Sequence, residues 1–311
     1  MSELSLDGRV AIVTGSGQGL GRAYATALAA AGAAVLVNDV NEQSAAETAR
    51  LITAAGGRAA VEIAAVGPSP AAQALVDRAV SEFGRLDVLV TNAGVLRDRV
   101  LWKMTDEDFD LVVDTHLRGT FTCARAAAVQ MKQQGEGGRI IVIGSPAGEF
   151  GNFGQTNYAA VKAGVVTFAR VWSMELARYL ITANAVIPTA WTPMTATIPI
   201  YARLVERAAE GVDFPSEVRR DHAIGWPEEC APLVVFLASD EAADISGQAI
   251  GIGGDRLTLY SHSGELDHRL RDGGWDPASI ADEWRSSFAA QRQHSGVVLP
   301  PLNLELIADS D

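Results

Sequence analysis

The chain has 311 residues, 48% of them hydrophobic, and a net charge of −13. That length can bury a full core, and the acidic balance argues against nucleic acid or an anionic membrane as a main partner, because phosphate binding needs clustered Lys and Arg. Cys123 and Cys230, the two cysteines, lie far apart and outside metal-ligand spacing, so neither a disulfide framework nor a metal site is expected.

Met1 leads into polar SELSLDG, the C-terminal ADSD is no peroxisomal address, and no apolar run has membrane length, so a cytoplasmic location is expected. In chain order, Val- and Ile-rich runs recur as RVAIVTG, AAVLVND, RAAVEIAAV, LDVLVTN, RIIVIGS, TANAVIP and QAIGIGG. Continuous apolar runs suit strands buried on both faces. Helical stretches separate them at roughly 20–31, 42–55, 70–83, 106–133, 156–180 and 228–238. This alternation predicts an α/β fold: a doubly wound parallel sheet of about seven strands with right-handed crossovers, in one domain over 1–259.

The helix from 106 has a start signal, with Thr105 as cap and Asp106, Glu107 and Asp108 at the positive end of the dipole. Residues 189–226 interrupt the alternation, either as a cover over a substrate site or as a long surface connection. After GIGGD the sheet pattern stops. Residues 260–311 then form an extension whose Trp275, Trp284 and VVLPPLNLEL argue for packing on the domain or on a neighbouring subunit.

The turn in VAIVTGSGQGLGRAYA sets Gly15, Gly19 and Gly21 between a strand and a helix, where backbone amides can meet a pyrophosphate. Its spacing is G-x-x-x-G-x-G, and packing alone is the alternative reason for such a turn. Asp39 ends the second strand, where a carboxylate can bind both adenosine ribose hydroxyls. A 2′-phosphate at ~4 Å would cost about 4 kcal/mol at an effective dielectric near 20, which favours NAD over NADP. Capping of the following helix is the other reading of Asp39.

Tyr158 and Lys162 stand four apart in NYAAVK, on one face of the expected helix. An ammonium at ~5 Å contributes about 3 kcal/mol toward bringing a phenol down from its usual value, enough with a cationic nicotinamide ring to make a base near neutrality. Ser145, at the end of RIIVIGS, can bind the same substrate oxygen.

Taken together, TGSGQGLG, Asp39, TNAG at 91–94, Ser145 and YAAVK at 158–162 resemble the short-chain dehydrogenases/reductases, in that order over residues 7–255. The resemblance implies a Rossmann-type domain that transfers hydride between a secondary alcohol and NAD through Ser145, Tyr158 and Lys162. It further implies that Gly15, Gln18, Gly19, Leu20 and Gly21 border the cofactor phosphates and that Asn92, Ala93 and Gly94 lie along it. Lys162 would also hold the nicotinamide ribose, with Ile187 and Thr192 beside the carboxamide.

Three positions depart from the family pattern. Ala65 stands where an acidic residue is common, leaving Val66 as the adenine contact; Pro188-Thr189 replaces Pro-Gly; and His116 takes the fourth catalytic position, usually Asn. LRDR at 96–99, HLRGTF at 116–121 and GNFGQTNY at 151–158 resemble the dehydrogenase unit of peroxisomal multifunctional enzyme type 2 and its bacterial relatives, which oxidise (3R)-hydroxyacyl-CoA thioesters. That likeness implies an acyl-CoA substrate, with Arg97, Arg99, Arg203 and Arg207 as candidates for its phosphates. It also implies a homodimer or homotetramer packed through the helices at 106–133 and 156–180. A dehydrogenase of free steroids or other secondary alcohols, and a non-catalytic NAD-binding regulator, are the rival readings.

Overall fold

The computed structural model describes residues 4–191, 213–297 and 300. Eight strands form one sheet in the order β3-β2-β1-β4-β5-β6-β7-β8. They are β1 Val10–Thr14, β2 Ala34–Asp39, β3 Arg58–Ile63, β4 Val88–Thr91, β5 Gly138–Ile143, β6 Ile181–Pro188, β7 Ala249–Gly253 and β8 Arg256–Tyr260. β1 to β7 pair in parallel; the near-continuous burial of β1, β2, β4, β5 and β6 reflects helices on both faces, whereas the edge strand β3 buries only Ala60. The chain winds outward both ways from β1 and β4, so a crevice opens at their carboxyl ends.

On one face, α1 (Gly19–Ala30), α2 (Glu42–Ala54) and α9 (Ala231–Ala238) bury Tyr24, Leu28 and Leu237 against Val13 and Val35. On the other, α3 (Ser69–Phe83), α5 (Gly119–Gln134) and α7 (Thr156–Leu176) bury Leu75, Met131 and Val165 against Ile12, Leu36 and Val142. Among the described residues, no helix is long and apolar enough to cross a membrane.

The structure differs from the sequence expectations at four places. The sheet has an eighth strand: the chain reverses at Gly253–Arg256 and β8 runs back antiparallel to β7, so the sheet extends to Tyr260. The expected helix at 106–133 is α4 (Asp106–Val112), a π-turn at Val113–Arg118 and then α5. The expected 228–238 helix begins as a 3-10 turn at Pro227–Cys230. Three helices not foreseen are α6 (Pro146–Phe150), α8 (Ser216–Asp221) and α10 (Pro277–Ser286).

Within 189–226, residues 192–212 lie outside the described residues, and with them Thr192, Arg203 and Arg207. The remainder is held: α8 (Ser216–Asp221) seats Val218 with Phe214 and Ile224 in a small core, and Arg219 pairs with Glu229 and Asp255. Most of VVLPPLNLEL also lies outside the described residues.

Candidate active site

The glycine turn and the end of β4 are locked together at the mouth of the crevice. Gly15 has φ +61°, and a Cβ there would stand 2.6 Å from the Ala93 Cα. Asn92 donates its amide to the carbonyls of Thr14 (3.1 Å) and Gly15 (2.9 Å), while the Thr14 hydroxyl accepts from the N–H groups of Asn92 and Ala93, each at 3.1 Å. Gln18, the N-cap of α1, makes no side-chain cap, so no side chain of the cap residue covers the first N–H groups of the helix.

Asp39 accepts from the Gly17 N–H at 2.9 Å through one oxygen and from the Asn41 N–H at 3.0 Å through the other. Asn41 caps α2 by accepting from the Ser44 N–H, so Asp39 is not the helix cap. A Cβ on Gly17 would press on the Asp39 carboxylate at 2.8 Å; glycine there leaves the carboxylate uncovered. A bare turn, uncapped amides and a fixed carboxylate fit a nicotinamide dinucleotide. Val66 packs at the start of α5, where a Gly119 Cβ would lie 2.8 Å from it, Leu20 packs partly buried on the core, and Ile187 is buried in β6.

Ser145, Tyr158, Lys162 and His116 come together at the ends of β5, α7 and the π-turn. Ser145 caps α6 by accepting from the Ala147 N–H at 3.2 Å, and its hydroxyl acts on the Tyr158 phenol to lower it. Lys162, 5% exposed, donates to the Ile143 carbonyl at 2.7 Å and lies 5.5 Å from the Tyr158 ring centre. His116, 3% exposed, sets its ring edge-on to Tyr158, centres 5.3 Å apart. Its Nε2 lies 3.0 Å from the Val95 N and 2.9 Å from the Val95 O, and its Nδ1 has no partner among the described residues. Gly94 is required here, because a Cβ would collide with the His116 ring.

Burial governs the protonation of this cluster. It pushes the Tyr158 phenol up to about 12, against the Ser145 hydrogen bond and helped by the negative charge of Asp98. It pulls Lys162 down to about 7. His116 falls to about 3, first by burial and then by repulsion from Lys162. The sequence expectation was a lowered tyrosine; within the protein alone, taking the groups out of water outweighs their mutual attraction. Tyr158 as a residue is half-buried, so the phenol keeps some access to water.

Of the two described arginines proposed for phosphates, Arg99 is paired with Asp108 at 2.7 Å. Arg97 is exposed; its guanidinium donates to the Leu96 carbonyl and has no carboxylate partner among the described residues. The sequence reading missed Asn157. Fully buried, it donates to the carbonyls of Arg97 (3.1 Å) and Asp108 (3.2 Å) and accepts from the Tyr158 N–H at 2.7 Å. It thereby fixes the start of α7 to the loop after β4; a polar side chain directly before the tyrosine is the only signal the sequence offers.

Residues 9–199 match the short chain dehydrogenase family. The chain belongs to the short-chain dehydrogenase family. It is an oxidoreductase of that family, whose members generally bind NAD or NADP. It is 43% identical over 251 residues to the short-chain reductase protein NovJ of Streptomyces niveus, covering 79% of this chain and 93% of that one. With the hydroxyacyl-CoA dehydrogenase ChsB1 of Mycobacterium tuberculosis it shares 38% identity over 299 residues, 92% of this chain and 90% of the other. The crystal structure of a short chain dehydrogenase from Mycobacterium avium superposes with a TM-score of 0.80 at 36% identity, covering 93% of this chain and 97% of that one.

Proposed function

We propose that this short-chain dehydrogenase uses NAD to oxidise the secondary alcohol of a 3-hydroxyacyl-CoA, a fatty or steroid side-chain thioester. The observation that carries the chemistry is the buried Lys162 ammonium 5.5 Å from the Tyr158 ring centre, with Ser145 on the same side at the end of β5. Tyr158 removes the hydroxyl proton at its phenolic oxygen, and Ser145 donates to the oxygen where negative charge develops. A positive charge on Lys162, which donates to the Ile143 carbonyl, would favour the phenolate and so work against the burial that raises Tyr158. His116 helps to position Lys162 or a relay water. The nicotinamide, when bound, accepts the hydride.

Gly15, Gln18, Gly19, Leu20 and Gly21 would hold its pyrophosphate, Asp39 the adenosine ribose, and Asn92, Ala93 and Gly94 the span toward Lys162. NAD is favoured because the Asp39 carboxylate is fixed at both oxygens and no basic residue stands at Ser16, Gln18, Val40 or Asn41. The substrate class is supported by the reach of the likeness to ChsB1, which takes in 92% of the chain where the NovJ match takes in 79%. Similarity to a reductase favours a second reading, in which the same residues deliver a proton while hydride passes to a carbonyl.

The arm at 261–297 has no buried residue and hydrogen-bonds the body near its two ends, His262 to the Gly247 carbonyl (3.0 Å) and the Gly296 N–H to the Phe150 carbonyl (2.7 Å). In our reading it packs on a neighbouring subunit of a homodimer or homotetramer. The deciding assay follows absorbance at 340 nm. A 3-hydroxyacyl-CoA with NAD should show kcat/KM at least about tenfold above its free acid, with NAD strongly preferred over NADP. Equal turnover of a free steroid alcohol would overturn the substrate class, and equal use of NADP the cofactor.

A further inference from the structure

We infer that Trp102 and Phe153 form an apolar seat for the hydrocarbon body of the acyl group, the part of the substrate remote from the reacting carbon. Among the described residues these are the two most exposed tryptophan or phenylalanine side chains, at 78% and 85%. Neither exposure comes from an untethered loop. The Arg99 N–H donates to the Gly154 carbonyl at 2.8 Å, Arg99 and Gln155 form a β-bridge, and the Gln155 amide donates to Asp98 at 2.8 Å. The Arg99–Asp108 ion pair and Asn157 fix the same loop from behind.

The two segments therefore make one clamped rim. It lies at the carboxyl end of the sheet, beyond β4 and before α7, the side on which ligands of open α/β sheets bind. Phe153 precedes Tyr158 by five residues, and Leu101, 69% exposed, extends the apolar strip beside Trp102. Large aromatic surface held in water without intramolecular cover marks a binding surface. Both side chains stand on segments bonded to each other and, through Asn157, to the residue before Tyr158, which makes the substrate's hydrocarbon the occupant we assign. Polar groups at Ser145 and Tyr158 address the reacting end, so selectivity for the remote end has to come from such a surface.

This inference rests on the acyl-CoA reading, and its test separates the two. The wild-type chain, Trp102→Ala with Phe153→Ala, and Trp102→Phe are each assayed with 3-hydroxybutyryl-CoA and 3-hydroxydecanoyl-CoA. The double variant should lose about tenfold or more in kcat/KM for the long ester and stay within about twofold for the short one; Trp102→Phe should keep most of the long-ester activity. Calorimetry with decanoyl-CoA, which has no hydroxyl to oxidise, should show about tenfold weaker binding to the double variant.

An equal loss for both esters, or no loss, would overturn the seat and leave the dehydrogenase reading standing. Wild-type binding of decanoyl-CoA without turnover of any hydroxyacyl-CoA would sink the reading while supporting the seat. A fall in solution mass of the double variant by light scattering would assign the rim to a second copy of the chain, and so overturn the proposal too.

Discussion

Around Lys162 the protein buries polar groups without an opposite charge; between residues 261 and 297 it does the reverse. The first region encloses an ammonium and an imidazole beside a half-buried phenol, supplies one carbonyl to the lysine, and leaves the Nδ1 of His116 without a partner among the described residues. The second satisfies its charges thoroughly: Arg269 bridges Asp267 and Glu283, Arg271 meets Asp276, and Gln291 donates to Asp267. Yet it leaves Leu266, Leu270, Ile280 and Trp284 in water. Each mismatch costs free energy in the isolated chain, by desolvation in one case and by exposed apolar surface in the other. The polar mismatch calls for a small polar ligand, and the apolar one calls for a protein surface.

The sharpest way to break this comparison is at the polar end. Tyr158→Phe removes the proton acceptor but keeps the ring against His116. Activity should fall by ~100-fold to 10,000-fold while NAD affinity stays near normal, measured by initial rates and by fluorescence titration. Retention of activity within a few-fold would show that another group takes the proton.

At the apolar end, ending the chain after Tyr260 removes the arm but leaves β8 intact. Substrate KM should rise or the melting temperature fall, and the solution mass should drop if the arm joins subunits; a KM change of about tenfold corresponds to about 1.4 kcal/mol. An unchanged chain by all three measurements would mean that the apolar side chains of the arm have no docking surface. Replacing Trp275 and Trp284 by Ala in the full-length protein tests the same point without truncation.

The two regions were not equally legible in the sequence. The strands of the central sheet announce themselves as Val- and Ile-rich runs because both faces are covered, and the crevice follows from their alternation with helices. The order of Ser145, Tyr158 and Lys162 gave a pairing that the fold brings together. β8 escaped because RLTLY sits at the sheet edge, with Leu257 and Leu259 exposed, so it lacks the continuous apolar run of its neighbours. The π-turn escaped because its hydrogen bonding has no signature in residue type; it places His116 inside the cluster. The protonation of the cluster could not be read at all. Spacing reports that Tyr158 and Lys162 are close, whereas the direction of their shifts depends on how much water the fold excludes.

The smallest expected effect concerns His116 and appears only in acid. Burial and Lys162 hold its folded value near 3 against an ordinary 6.5, so between those values the unfolded chain binds a proton that the folded chain does not. Stability rises with pH wherever the unfolded state binds more protons, and His116 therefore withdraws stability as pH falls from about 6.5 toward 3. One proton of difference corresponds to a slope of up to about 1.4 kcal/mol per pH unit. His116→Asn lacks the titrating ring. It should lower stability at neutral pH by loosening the packing on Gly94 and Tyr158, and its stability should decline less steeply below pH 6.5, as read from denaturant midpoints across the acid range. Loss of packing alone would shift the curve down without changing its slope, so parallel acid limbs for wild type and variant would show that His116 titrates in the folded protein as it does in water.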